Sequence, residues 1–340
     1  MNLHILALLS LIVFEVKAQK IGEHSLTKIA FLKKNPKKME LAKLLWRTEP
    51  VNEDEIYNQL GLEKENKGNF KLKGRLTLRN GIGFKTRNPY FPRYSIGYEK
   101  GIKNFPGLKD PIKKRKIEFE VKRKKTIKFY NQEQITNWFL NLEKIGSDES
   151  REVCAIKFID NSDKKYKFKT FKNADEARKS GWFITHKYKC GTCSSLKDLA
   201  VYMAKPDLTD PVRFCTKKPT LKMIKSCLMN KVGFSERCSE SWTYNADHTK
   251  KRCMGICMKD YGLVNVLTNN MQGSNVDKDG NLKPCIACDE YRSGPGFKYA
   301  AARTRRWSGL VSAIKRGSDE VYKVNHFKYF KKTKDWKWFD

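Results

Sequence analysis

The chain has 340 residues, with 70 Lys and Arg against 37 Asp and Glu, and a formal net charge of +33. Its 39% apolar content is enough for a core and excludes disorder throughout; beyond the first twenty residues no stretch approaches the roughly 18 consecutive apolar residues of a membrane-spanning helix. The excess of positive charge attracts polyanions, such as glycans or anionic lipid.

The opening segment, MNLHILALLSLIVFEVKAQK, has an apolar run from Leu3 to Phe14, then Val16, Lys17 and Ala18, with small residues where signal peptidase reads them. It reads as a secretory signal over residues 1–18, which makes the mature protein a secreted one. Residues 19–150 contain no cysteine, and all ten cysteines lie from Cys154 onward. This shift divides the chain into a basic cysteine-free region, 19–150, and a cysteine-rich domain, 151–340. In the first region Asn80-Gly81 sits between alternating runs and predicts a hairpin. Ile117, Phe119 and Val121 alternate with charges as in a half-buried strand, flanked by the basic runs Lys113–Lys116 and Lys122–Lys125. Asn131 then caps a helix carrying Ile135, Trp138, Phe139 and Leu142 at helical spacing.

Past the boundary, CAIKFIDNSDKKYKFKTF predicts two strands around a polar turn, and NADEARKSGW predicts a short helix closed at Gly181. Ser195 and Asp198 form a capping box for a helix with Leu196, Leu199, Ala200 and Met203 on one stripe, ended by Pro206. Further helices are expected over 221–230, 246–258 and near 297–302. The fold class is α+β: a basic mixed strand and helix N-terminal region followed by a mainly helical disulfide-rich domain. Asn275, Asp277, Asp279 and Gly280 match the start of an EF-hand loop, but Ile286 stands where the bidentate glutamate belongs. That segment reads as a tight polar turn, with no metal expected.

In an exported protein the ten cysteines should mostly form disulfides, whose connectivity is not legible. Cys253 and Cys257, four apart on a helix, share a face and are expected to staple a neighbouring segment each. Two further readings concern the CxxC pairs, Cys190 with Cys193 and Cys285 with Cys288. They have the form of two zinc knuckles, although their long separation and the oxidising compartment oppose that. Alternatively, Cys193 heads the helix that follows, where the macrodipole together with Lys187 and Lys189 favours a thiolate. Between Cys190 and Cys288 there are nine cysteines, so one is left over unless Cys154 pairs with it.

The segment CGTCSS, followed by an apolar helix, resembles the CGSCW segment of papain-like cysteine peptidases. The resemblance implies a bridged Cys190 and a nucleophilic Cys193. Ser194 replaces the family's aromatic residue, and Lys187 stands where its oxyanion glutamine would be. CSSLKDLAVYM, CDEYRSGPGFK and RTRRWSGLVSAIKR also resemble segments of uncharacterised secreted cysteine-rich proteins, which implies one domain over about 174–327 and supplies no function.

A cysteine nucleophile needs a base, and His186 and His248 are the candidates, the latter oriented by Asn245 or Asp247. Arg292, Arg303, Arg305 and Arg306, beside the Ser293–Gly296 turn, form a candidate clamp for an anionic group. Asp289 and Glu290, being adjacent, should point in different directions. No phosphate loop or dinucleotide fingerprint is present, so no cofactor is expected. The residues together suggest a secreted thiol-dependent hydrolase or acyl transferase acting on an anionic substrate. The alternative is a non-enzymatic, disulfide-stabilised protein that binds polyanions through its basic surface. Nucleic acid is not expected as the partner, given export and the few aromatic residues among the basic runs.

Overall fold

The structure is a computed structural model and describes residues 34–59, 62–64, 70–72, 152–268, 270–271, 275–276, 282–310, 312 and 321–336. The expected signal segment, the Asn80-Gly81 hairpin, the strand around Phe119 with its flanking lysines, and the helix after Asn131 lie outside the described residues.

Asn35 starts the first helix by accepting the Lys38 N–H on its side-chain oxygen at 3.1 Å, and Pro36 fits the first helical position because its missing N–H needs no partner there. This helix, α1 (Pro36–Trp46), buries Leu41, Leu45 and Trp46. The chain then enters β1 (Glu49–Pro50) and reaches Asn52, whose amide acts as one more rung of strand pairing. Asn52 Nδ2 donates to the Phe168 carbonyl at 2.9 Å, and its Oδ1 accepts the Phe168 N–H at 2.8 Å, 116 residues along the chain. Next come α2 (Glu53–Gln59) and a separate antiparallel hairpin of β2 (Leu62–Lys64) and β3 (Phe70–Leu72).

The hairpin expected after residue 152 is present as β4 (Val153–Phe158) and β5 (Lys165–Phe171). Along β5, Tyr166 and Phe168 are buried while Lys165, Lys167 and Lys169 face solvent, the period-two pattern of a half-covered strand. Asn173 caps α3 (Ala174–Lys179) through the Glu176 N–H at 2.9 Å, and Gly181, at φ +70°, turns the chain out of it as expected. β6 (Phe183–Lys187) completes a sheet of order β1-β5-β4-β6, in which only β1 and β5 run parallel.

The helical part follows: α4 (Leu196–Ala204), α5 (Thr209–Thr216), α6 (Leu221–Cys227), α7 (Glu236–Tyr261), α8 (Leu263–Thr268), α9 (Pro284–Cys288) and α10 (Gly294–Ala301). The expected stripe on α4 is buried, and so are Val201, Tyr202 and Ala204, because α1 packs alongside this helix in the same core. Leu41 and Leu45 therefore share one cluster with Leu196 and Leu199. The boundary expected at residue 150 thus cuts through residues that share a sheet and a core.

The capping box at α4 forms and does more than expected. Ser195 Oγ accepts the Asp198 N–H at 3.0 Å and donates back to the carboxylate at 2.5 Å. The same carboxylate accepts the Ser235 N–H at 2.8 Å and hydroxyl at 2.7 Å, and Ser235 is the cap of α7. One buried acid thereby joins two helix starts. α6 ends in a wide π-helical turn, Leu228–Val232, closed by Gly233 at φ +96°, and a second π-helical turn, Asp289–Ser293, joins α9 to α10.

All ten cysteines are paired: Cys154–Cys190, Cys193–Cys238, Cys215–Cys227, Cys253–Cys288 and Cys257–Cys285. Cys154 completes the set that parity left open. Cys253 and Cys257 do share a face of α7, but both bridge to the one short helix α9, not to separate segments as expected. Of the described helices, none is long and apolar enough to cross a membrane.

Candidate functional site

The CGTC segment is a packed turn. A Cβ added to Gly191 would lie 2.4 Å from the Ala300 carbonyl and 2.6 Å from Ala302 Cβ, so only glycine lets the turn approach α10 this closely. The approach has a purpose: Thr192 N–H donates to Ala300 O at 2.9 Å and Cys193 N–H to Ala301 O at 3.1 Å, satisfying carbonyls that the end of α10 leaves without a helical partner. Cys193, expected as the nucleophile, has its sulfur bonded to Cys238 and is fully buried. A disulfide sulfur carries no thiolate, so the role drawn from the papain-like resemblance does not hold for this atom. The zinc reading also fails, because the four CxxC sulfurs are spent in four different bridges.

His186 on β6 is fully buried and faces Ser194, with Nε2 2.7 Å from the Ser194 hydroxyl and Nδ1 2.8 Å from the Lys187 carbonyl. A carbonyl only accepts, so Nδ1 carries the proton and Nε2 accepts from Ser194; the same hydroxyl oxygen accepts the Gly191 N–H at 2.8 Å. Burial and the nearby Arg303 charge hold the imidazole well below its ordinary pKa, and therefore neutral. Its partners make it a brace for the turn.

Two arginines of the expected clamp, Arg303 and Arg305, are taken up by the fold. Arg303, wholly buried, donates to the carbonyls of Cys193 at 2.8 Å and Ser194 at 2.9 Å and to the Ser308 hydroxyl at 3.1 Å. Arg305 donates to the carbonyls of Tyr202 and Lys205, where its charge meets the negative end of α4. Arg306 is buried, and the Arg292 side chain lies outside the described residues.

What the helices do enclose is a pocket of about 570 Å³ between α5, α7, α8 and the α9–α10 segment. On α7, Trp242, Asn245, Ala246 and Thr249 recur at three- and four-residue spacing and present one face to it. Trp242, Met254, Leu267 and Phe297 supply apolar walls. At the polar end the Thr249 hydroxyl donates to Asp289 Oδ1 and lies 2.8 Å from the Ser293 hydroxyl, which in turn lies 2.9 Å from His248 Nδ1. Asn245 and His248, both expected as site residues, are therefore brought to one region, though without a thiol. His248 and Ser293 stay behind the wall, at 5% and 3% exposure, so neither offers a nucleophile or base to the pocket.

The π-helical turn turns Asp289 toward Thr249 and Glu290 toward Lys298, with the latter pair 2.8 Å apart, as their adjacency led one to expect. Burial, with Glu290 adding negative charge, pushes Asp289 up to about 6, against the pull of the Thr249 bond and of the Lys298 and Arg213 charges. Folding thus favours the protonated acid: the stability this contributes is full below about pH 4 and is lost as pH rises through about 6. Asp289→Asn should flatten that decline by about 2 kcal/mol between pH 4 and pH 7, measured as the difference in urea unfolding free energy between the two proteins.

Sequence reasoning missed Thr249 and the part played by Asp289. The signal was the Ser235 cap, which, once placed, starts α7 early enough to put Asn245 and Thr249 on one face. No curated protein and no solved structure matches the chain. Residues 221–324, which carry α7, the Asp289–Ser293 turn and α10, are similar to a family of unknown function (DUF8771).

Proposed function

We propose that this chain is a secreted, disulfide-stapled binding protein that holds one small amphipathic ligand in the pocket between α5, α7 and α10. The observation that carries this reading is the pocket itself. Its volume of about 570 Å³, its aromatic and aliphatic walls and its few polar groups at one end are the properties of small-ligand sites. Binding is favoured over turnover because both His–Ser contacts near the turn and the pocket are buried, and Cys193 is bonded. The five disulfides and the apolar opening segment support the secretory route.

Nile red, an uncharged fluorophore, should bind the full chain saturably at one site per molecule. Ala246→Phe, which fills the pocket from α7, should weaken it at least tenfold while the urea midpoint shows the variant folded. Absence of saturable binding, or binding unchanged in the folded variant, would reject the pocket as the site. The net charge of +33 favours a second reading, in which the basic surface also grips a polyanion. Retention on heparin that falls steeply with salt and survives Ala246→Phe would separate that surface from the pocket.

A further inference from the structure

The pocket's polar end specifies the ligand's head group, an inference that rests on the binding reading above. We propose that this head is a primary ammonium, received by the side chains of Asn245 and Asp289. Asn245 is 7% exposed, faces the pocket, and its Oδ1 has no hydrogen-bond partner. A buried amide oxygen left unsatisfied costs about 1–3 kcal/mol, a demand that a ligand donor would meet. The Thr249 hydroxyl has one proton, which it gives to Asp289 Oδ1, leaving Oδ2 for a ligand.

The cations that face Asp289 are spent. Lys298 pairs with Glu290 at 2.8 Å; Arg213 donates to the Met271 carbonyl at 3.0 Å and lies 3.7 Å from Asp210. What remains uncommitted is therefore a pair of acceptors. An ammonium offers three donors and no acceptor, whereas a carboxylate would meet oxygen with oxygen. This reverses the anionic substrate expected from the arginine run, of which Arg303 and Arg305 are engaged with main-chain carbonyls. The chain's overall positive charge acts at range, where salt screens it over about 8 Å, while the two acceptors act in contact. The charged groups facing Asp289 are Glu290 beside it, Lys298 on α10 and Arg213 on α5. From α7 it meets the Thr249 hydroxyl, with His248 beyond Ser293 and Lys250 on the pocket wall.

The test is calorimetric titration of the full chain with octylamine, octanol and octanoate, which share a tail and differ in the head. At pH 8 octylamine should bind at least tenfold more tightly than octanoate, with octanol between them. At pH 5, where Asp289 holds its proton, octylamine should weaken about tenfold. Asn245→Ala should weaken octylamine about tenfold at both pH values, and Asp289→Asn should abolish the pH dependence, each variant shown folded by its urea midpoint. Octanoate binding as tightly as octylamine, or octylamine binding unchanged in both variants, overturns the head-group assignment and leaves the pocket standing. If neither Nile red nor any octyl compound binds, the pocket reading falls, and this inference with it.

Discussion

Replacing Cys193 by alanine is expected to leave one alkylatable thiol, that of Cys238, and to lower the free energy of unfolding by about 4 kcal/mol. The bridge closes 45 residues, which include α4, α5 and α6, so its loss frees a long stretch of the unfolded chain. Both sulfurs are also fully buried in the main cluster, and truncating one leaves a small void. Mass analysis of the non-reduced protein after iodoacetamide, followed by urea unfolding, reads both effects. The wild-type protein should take up no label. Labelling of Cys193 in the folded wild type would contradict the bridge and return this sulfur to the list of reactive groups.

A second large effect is expected at Arg303. Arg303→Leu should cost on the order of 4 kcal/mol, because it strands the carbonyls of Cys193 and Ser194 and the Ser308 hydroxyl in a region without water access. Arg303→Lys should recover less than half of that, since one ammonium cannot reproduce the planar fork that reaches these groups together. The acid limb of the stability curve supplies an independent readout. His326 is buried, and burial with the Arg303 charge brings it down to about 3, while its ring donates to the Ser308 carbonyl at 2.6 Å. His186 is lowered by the same two causes. A depressed histidine contributes stability that is present above about pH 6.5 and is lost as pH falls toward its folded value. The wild type should therefore weaken from pH 6.5 downward, and Arg303→Leu should do so somewhat less steeply, because a charge that adds to burial in holding both rings neutral is gone. Unfolding curves at pH 7 and pH 4.5 for both proteins distinguish this from a purely steric defect, which would shift both pH values alike.

The legible parts of the fold are those where one local rule acts alone. The β4–β5 hairpin shows its period in the lysines of β5, and α3 and α4 show their caps at Asn173 and Ser195. The first half of α7 is hidden, because its buried face is made by Cys238, Ser239 and Ser241, which carry no apolar period. α5 is masked by Pro211 within its first turn and by Asp210 beside it. At the site, Asn245 and His248 stand out as chemistry-bearing residues. Ser293, the partner of His248, and Asp289, the partner of Thr249, come from 45 and 40 positions further on, through a π-helical turn that follows neither helical nor strand spacing. The arginine run is equally visible, but a guanidinium that grips a phosphate and one that closes a helix end look alike in sequence. Only the carbonyls around Arg303 and Arg305 tell them apart.

The double bridge between α7 and α9 makes the two sides of the pocket unequal. α9 has only five residues, too few to persist as a helix unaided, yet two covalent rungs fix it to the neighbouring helix. On the other side α8 has no bridge and no buried residue, and it leaves Val264 and Leu267 at 70% and 68% exposure. Transient opening therefore costs least along α8. Under the proposed binding function, an oily molecule would enter on that side and meet a wall that is already rigid.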